Sequence, residues 1–112
     1  MERIERLARI SAGSGPGVSR LPFTAAWEQA NMLVGQWMEE AGMMVRRDEV
    51  GNLIGRYEGT LSGALVLMIG SHLDTAIEAG KYDGVLGVIG SVEVVQGLFE
   101  SGIRLKHPII NR

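Results

Sequence analysis

The chain contains no cysteine, so it can form neither disulfide bonds nor thiolate metal sites. Its 11 basic and 13 acidic side chains nearly balance, and no basic run predicts nucleic-acid binding. The longest uninterrupted apolar run, residues 64–69, is far too short to span a membrane, and the charged N-terminus lacks the apolar core of a signal peptide. These absences predict a cytoplasmic protein without a nucleic-acid or membrane partner.

The size and the glycine content indicate a single compact unit. At 112 residues the chain is long enough for one domain with a buried core, and we treat residues 1–112 as that domain. Its 16 glycines are spread along the sequence, which favours many tight turns over disorder.

Apolar residues recur at helical spacing in three segments, and these predict three helices. The first covers residues 2–12 and ends at the glycine-rich break at 13–17. The second begins after Thr24, a plausible N-cap, and ends at Gly42. The third covers residues 83–101 and has Phe99 on its apolar face. The spacing in the second helix places both tryptophans, Trp27 and Trp37, in the core.

The remaining segments predict strands. Residues 43–49 and 53–58 form a hairpin around the turn at Gly51 and Asn52. Residues 64–69 are apolar on both faces, as in a central strand covered on each side. Residues 106–110 begin a further strand, so the C-terminal half is a strand, loop, helix and strand unit.

The loop after the apolar strand carries the residues best suited to chemistry. His72, Asp74 and Asp83 lie in residues 70–84, just past the carboxyl end of that strand, where open α/β sheets bind ligands. His72 and Asp83 are candidate metal ligands, and Asp74 is a candidate to orient the His72 ring. On residue chemistry alone a surface His–Asp pair is an open alternative, because three such groups do not complete a zinc site.

The full motif string resembles a known family. Segment 70–75 (Gly-Ser-His-Leu-Asp-Thr) and segment 80–87 (Gly-Lys-Tyr-Asp-Gly-Val-Leu-Gly) resemble the strand end and helix start of di-zinc amidohydrolases and aminopeptidase-like hydrolases. Segments 17–24 and 48–59 look like the branch that contains N-carbamoyl-L-amino acid hydrolases and allantoate amidohydrolases. The resemblance implies the N-terminal part of a three-layer α/β/α zinc-peptidase-like catalytic domain.

The resemblance also implies roles for the three residues. His72 would be a terminal ligand of one of two zinc ions, Asp83 would bridge both ions, and Asp74 would orient His72. Manganese or cobalt are alternatives to zinc. Water activated by the ions would attack the carbon of a carbamoyl or ureido group of a small substrate.

Parts of the family's site have no counterpart in these residues. The family has an adjacent Glu-Glu pair after the next strand, as base and ligand, and two later histidines that flank a dimerisation domain. His107 precedes the strand and matches neither of these histidines, so it is interpreted as a solvated loop residue. The resemblance therefore implies that the 112 residues alone are inactive, and an unpaired sheet edge predicts a homo-oligomer.

Two other functions compete with the hydrolase interpretation of this sequence. One is a non-catalytic interaction module that retains the front half of the fold. The other is a dinucleotide-binding unit, which fails because His72 and Asp74 occupy the turn where a glycine-rich loop would hold phosphate. Arg20 and Arg56 could contact a substrate carboxylate, but their positions beside glycine turns favour solvated or ion-paired side chains.

Overall fold

The computed structural model describes residues 2–13 and 15–112, so Ser14, within the predicted break at 13–17, lies outside the described residues. The helices are α1 (Glu2–Ala8), α2 (Ala25–Glu40) and α3 (Val85–Glu100). The strands are β1 (Met44–Arg47), β2 (Leu53–Tyr57), β3 (Leu67–Ile69) and β4 (Ile109–Asn111). The predicted α/β class is confirmed. Among the described residues, no helix is long and apolar enough to cross a membrane.

The four strands form one mixed sheet with the order β1-β2-β4-β3. The predicted hairpin is confirmed, because β1 and β2 pair antiparallel, and β2 also pairs antiparallel with β4. β3 precedes α3 in the chain and β4 follows it, and the two strands pair in parallel, as the strand–helix–strand pattern predicts. This arrangement brings the carboxyl ends of β3 and β4 together.

The helices pack on one face of the sheet and share a single core. Ala30, Val34 and Met38 of α2, Leu7 of α1 and Val92 and Val95 of α3 are almost fully buried. α2 begins as predicted, with the Thr24 hydroxyl accepting a hydrogen bond from the Trp27 amide at 3.3 Å. It ends before Gly42, whose φ of 85° is the left-handed conformation expected there.

Three expectations about the helices and their buried faces are wrong. α1 ends at Ala8 rather than at residue 12. Trp37 is buried as predicted. Trp27 is only half-buried because it lies at the rim of the hairpin loop, where its ring is tilted by 57° against that of Phe23 with centroids 5.1 Å apart. Phe99 is 44% exposed and lies against Gly42 at the end of α2.

The apolar segment 64–69 differs most from the prediction. Only Leu67–Ile69 pairs, and β3 is an edge strand of the sheet rather than a covered central strand. Leu65 is 83% exposed and Met68 58% exposed. The register places Met44, Arg56, Ile110 and Met68 in one row across the sheet, on the face opposite the helices. This face therefore presents apolar side chains that parallel sheets usually cover.

Candidate functional site

The loop between β3 and α3 brings the three predicted site residues together at the carboxyl end of the sheet. The Nδ1 atom of His72 lies 2.9 Å from the backbone oxygen of Asp74, and its Nε2 atom lies 3.4 Å from Oδ1 of Asp83. All three side chains remain 43–62% exposed. His72 is thus held on one side by a carbonyl and faces a carboxylate on the other.

The carbonyl contact favours one position for the hydrogen of the neutral ring. A carbonyl oxygen only accepts, so in the neutral ring Nδ1 of His72 is the donor and Nε2 keeps its lone pair. The expected orienting group was the carboxylate of Asp74. In the structure that carboxylate is 3.6 Å from Nδ1, and the backbone oxygen of the same residue makes the close contact.

The facing pair fits a zinc ion. A tetrahedral ion about 2.1 Å from a nitrogen and an oxygen keeps those two atoms about 3.4 Å apart, which is the separation of His72 Nε2 and Asp83 Oδ1. Within residues 2–13 and 15–112, however, no group of three His, Cys, Asp or Glu side chains is arranged so that it could hold a metal ion. The described residues thus offer two ligands and leave the other positions of an ion to groups from elsewhere.

The start of α3 closes against this pair. The Ser71 hydroxyl donates to the backbone oxygen of Gly84 at 2.7 Å. Gly84 has φ of 72°, and a Cβ there would lie within 2.5 Å of both Nδ1 and the backbone oxygen of His72. A Cβ on Gly87 would lie 2.9 Å from the Ser71 side chain. Glycine is therefore required at position 84 both by its conformation and by the imidazole beside it.

Arg20 lies behind the loop and not in the solvent or in an ion pair, so that expectation is wrong for this residue. It is 1% exposed, and its guanidinium donates to the backbone oxygens of Leu73, Leu7 and Ile10 at 2.8, 2.8 and 2.9 Å. Burial lowers the pKa of Arg20, and the nearby Asp74 carboxylate opposes that shift. The side chain is thus inaccessible to a substrate carboxylate.

Arg56 and His107 lie in the surroundings that the sequence predicts. Arg56 is exposed and paired with Glu58. His107 is an exposed loop residue, and its Nδ1 lies 2.7 Å from the backbone oxygen of Leu65. Lys81 pairs with Glu5 of α1 and so helps to hold the loop.

A cavity of about 230 Å³ lies beside the pair, between α2, the hairpin loop and the end of β4. His72, Asp74 and Trp27 line it, together with the buried amides of Asn31 and Asn111. The Asn111 amide oxygen lies 2.9 Å from the Ser91 hydroxyl. No sequence pattern identified this amide, because the strand pattern at 106–110 carries no information on polar side chains at its end.

The comparisons with known proteins agree with the motif string. The chain is 46% identical over 108 residues to an N-carbamoyl-L-amino acid amidohydrolase from Geobacillus stearothermophilus, covering 96% of this chain and 26% of that protein. It is 42% identical to an allantoate amidohydrolase from Bacillus subtilis strain 168, over 88% of this chain and 24% of that protein. No protein-family model matches the chain.

A solved structure gives the same result for the fold. A hydantoinase/carbamoylase family amidase from Burkholderia ambifaria superposes with a TM-score of 0.93 at 41% identity, covering 98% of this chain and 27% of that one. The chain therefore spans about a quarter of the length of the proteins that it matches.

Proposed function

Since this chain is related over nearly its whole length to the N-carbamoyl-L-amino acid amidohydrolases and allantoate amidohydrolases, we propose that it forms the N-terminal, metal-binding portion of such a hydrolase. Its substrates would be linear amides or ureido compounds, such as N-carbamoyl amino acids or allantoate. The observation that carries the proposal is the 3.4 Å approach of His72 Nε2 to Asp83 Oδ1. We also propose that the protein is located in the cytoplasm.

His72 and Asp83 would hold the metal, and their own geometry prepares them for it. A hydrogen on Nδ1 of His72 would be donated to the Asp74 carbonyl, and the lone pair of Nε2 would then face the Asp83 carboxylate. When bound, zinc polarises the carbonyl under attack and acidifies a water molecule. Two side chains do not complete a zinc site, and the described residues group no third ligand with them, so we expect no turnover by these residues alone.

Zinc titration tests the metal assignment. We expect Zn²⁺ to perturb the imidazole NMR signals of His72 in the 112-residue chain, and His72→Ala to abolish specific zinc uptake in equilibrium dialysis. Asp83→Asn should weaken uptake at least about 10-fold, because the carboxylate is lost and the neutral imidazole is then the one strong ligand of the pair. His107→Ala is the matched control, because His107 lies outside the pair. Zinc stoichiometry that is unchanged in His72→Ala would overturn the ligand assignment.

The alternative is an interaction module without catalytic function. The lack of a group of three metal ligands among the described residues, together with the exposed Met44 and Met68 on the sheet, favours it. A wild-type chain that takes up no zinc at the His72 site, yet associates specifically, would give this interpretation the lead.

We further propose that the chain forms a homo-oligomer through the β3 edge. The outer edge of β3 has no strand partner among residues 2–13 and 15–112, and Leu65 and Met68 beside it are exposed. Unpaired apolar edges favour strand pairing between copies. Light scattering at micromolar concentration should give the mass of a dimer or a larger assembly.

Two lysine substitutions locate the interface. Met68→Lys should weaken dimerisation by about 10-fold or more, because a charge on the edge strand disfavours pairing. Val94→Lys is the control, since Val94 on α3 is equally exposed at 58%. A monomeric wild type, or equal effects of both substitutions, would contradict pairing through β3.

A further inference from the structure

Arg20 contacts the site loop through its backbone as well as its guanidinium. The Arg20 amide donates to the Thr75 hydroxyl at 2.7 Å, and the Thr75 amide donates to the Arg20 backbone oxygen at 2.8 Å. The guanidinium Nε donates to the Leu73 backbone oxygen at 2.8 Å. Both peptide groups that flank Asp74 are thus fixed by one residue.

The fixed peptide groups determine the direction of the Asp74 carbonyl. The amide of Thr75 and the carbonyl of Asp74 belong to the same planar, trans peptide unit, so they point in opposite directions. Because the N–H of this unit is held by the Arg20 backbone oxygen, its C=O is directed away from Arg20, onto Nδ1 of His72. One rigid peptide unit, that between Asp74 and Thr75, therefore connects Arg20 to the imidazole of His72.

The other end of Arg20 anchors this arrangement to the core. Its guanidinium binds the backbone oxygens of Leu7 and Ile10 at the end of α1, which lies against the core through the buried Ile4 and Leu7. His72 itself is half-exposed, and water would allow either ring nitrogen to carry hydrogen. A buried anchor can select one tautomer where solvent would not.

We infer that Arg20 is a positioning residue that holds the neutral His72 ring as the Nδ1–H tautomer, with Nε2 free to bind metal. The inference rests on the proposed function for its biological meaning. The tautomer itself is a property of the metal-free chain and is measured without zinc. Arg20 also stabilises the fold, so the decisive measurement is one that stability alone does not change.

The experiment uses the two histidines of the chain as signal and internal control. His107 also presents Nδ1 to a carbonyl, that of Leu65, far from Arg20 in the sequence and on another loop. In ¹⁵N-histidine-labelled, metal-free protein at about pH 8, where ordinary imidazoles are neutral, long-range ¹H–¹⁵N spectra report both tautomers. We expect Nδ1–H for both histidines in the wild type. Arg20→Met keeps the backbone bonds to Thr75 but removes the donor to the Leu73 oxygen, so the peptide before Asp74 is released and only His72 should shift toward a mixture with Nε2–H.

Two further variants separate positioning from folding. Val95→Ala removes buried volume from α3 ten residues after the start of that helix, and it should leave both tautomers unchanged. Arg20→Lys keeps the charge but lacks the Nε–H that binds the Leu73 oxygen, and we expect it to give an intermediate shift of His72. If Arg20→Met does not fold, Arg20→Lys decides in the same way. A folded Arg20 variant set in which His72 stays Nδ1–H would overturn the inference.

Zinc binding gives an independent second result. Loss of a group that orients a metal-binding histidine typically weakens metal affinity about 10- to 100-fold, and we expect that loss in Arg20→Met but not in Val95→Ala. If the wild type fails to bind zinc but the tautomer shifts as expected, the proposed function fails and the positioning role holds. If zinc binds through His72 but the tautomer of His72 is the same in the Arg20 variants, the positioning role fails and the proposed function holds.

Discussion

Replacing Gly84 by alanine is expected to lower the free energy of unfolding by about 2–5 kcal/mol. At φ of 72° an alanine pays about 1–2 kcal/mol for the left-handed backbone. The added Cβ would also lie within 2.5 Å of Nδ1 and the backbone oxygen of His72, and relieving that overlap costs about 1–3 kcal/mol more. Because the overlap is with the imidazole, the same change should displace His72 from Asp83 and abolish zinc uptake.

Urea denaturation measures the first effect, and Gly90→Ala is its matched control. Gly90 lies inside α3 without a positive φ, and a Cβ there meets open space. Alanine at that position should therefore stabilise the chain by about 0.5–1 kcal/mol, through its higher helix propensity. If Gly84→Ala were as stable as the wild type, the close packing of α3 on His72 would not exist in solution.

Much of the fold follows from local patterns in the sequence. Thr24 and Gly42 bound α2 because capping depends on a few adjacent residues. The approach of His72 to Asp83 was also predictable in outline. A loop that leaves a strand and enters the next helix must bring its two ends to one edge of the sheet.

The errors arise where the outcome depends on partners that are distant in sequence. Residues 64–69 have the composition of a covered strand, but composition cannot tell whether a neighbouring strand exists on the far side of β3. Trp27 has core spacing on α2, but its ring lies beside Gly51 of the hairpin loop and against Phe23. A helical period identifies a face of the helix and does not show how far the core extends along it.

Arg20 shows a second limit of pattern analysis. Its partners are the backbone oxygens of Leu7, Ile10 and Leu73, and every residue carries such an oxygen. Backbone oxygens leave no pattern in the sequence that would indicate the contact. An ion-paired or solvated arginine was therefore the natural expectation. Likewise, the carbonyl of Asp74 approaches His72 more closely than the carboxylate that distinguishes this residue in the sequence.

Arg20→Met is expected to lower the free energy of unfolding by about 3–5 kcal/mol. Methionine fills a similar volume but donates no hydrogen bond, so three buried carbonyl oxygens lose a charged donor, each worth about 1.5–3 kcal/mol. The loss is less than their sum because the variant no longer buries a guanidinium, whose pKa burial already lowers. Domains of this size are stable by roughly 5–15 kcal/mol, so the variant remains folded where the wild-type stability exceeds this loss.

Arg56→Met provides the matched measurement by the same urea denaturation. Arg56 is exposed, and its pair with Glu58 is of the surface kind that contributes about 0–1 kcal/mol. Equal destabilisation by the two changes would show that the buried contacts of Arg20 contribute no more than a surface ion pair. A large effect confined to Arg20, combined with the tautomer shift of His72, would show that one buried side chain links the end of α1 to the imidazole. The metal-binding geometry of the loop would then depend on the core beneath it, because the peptide that orients His72 is held from that side.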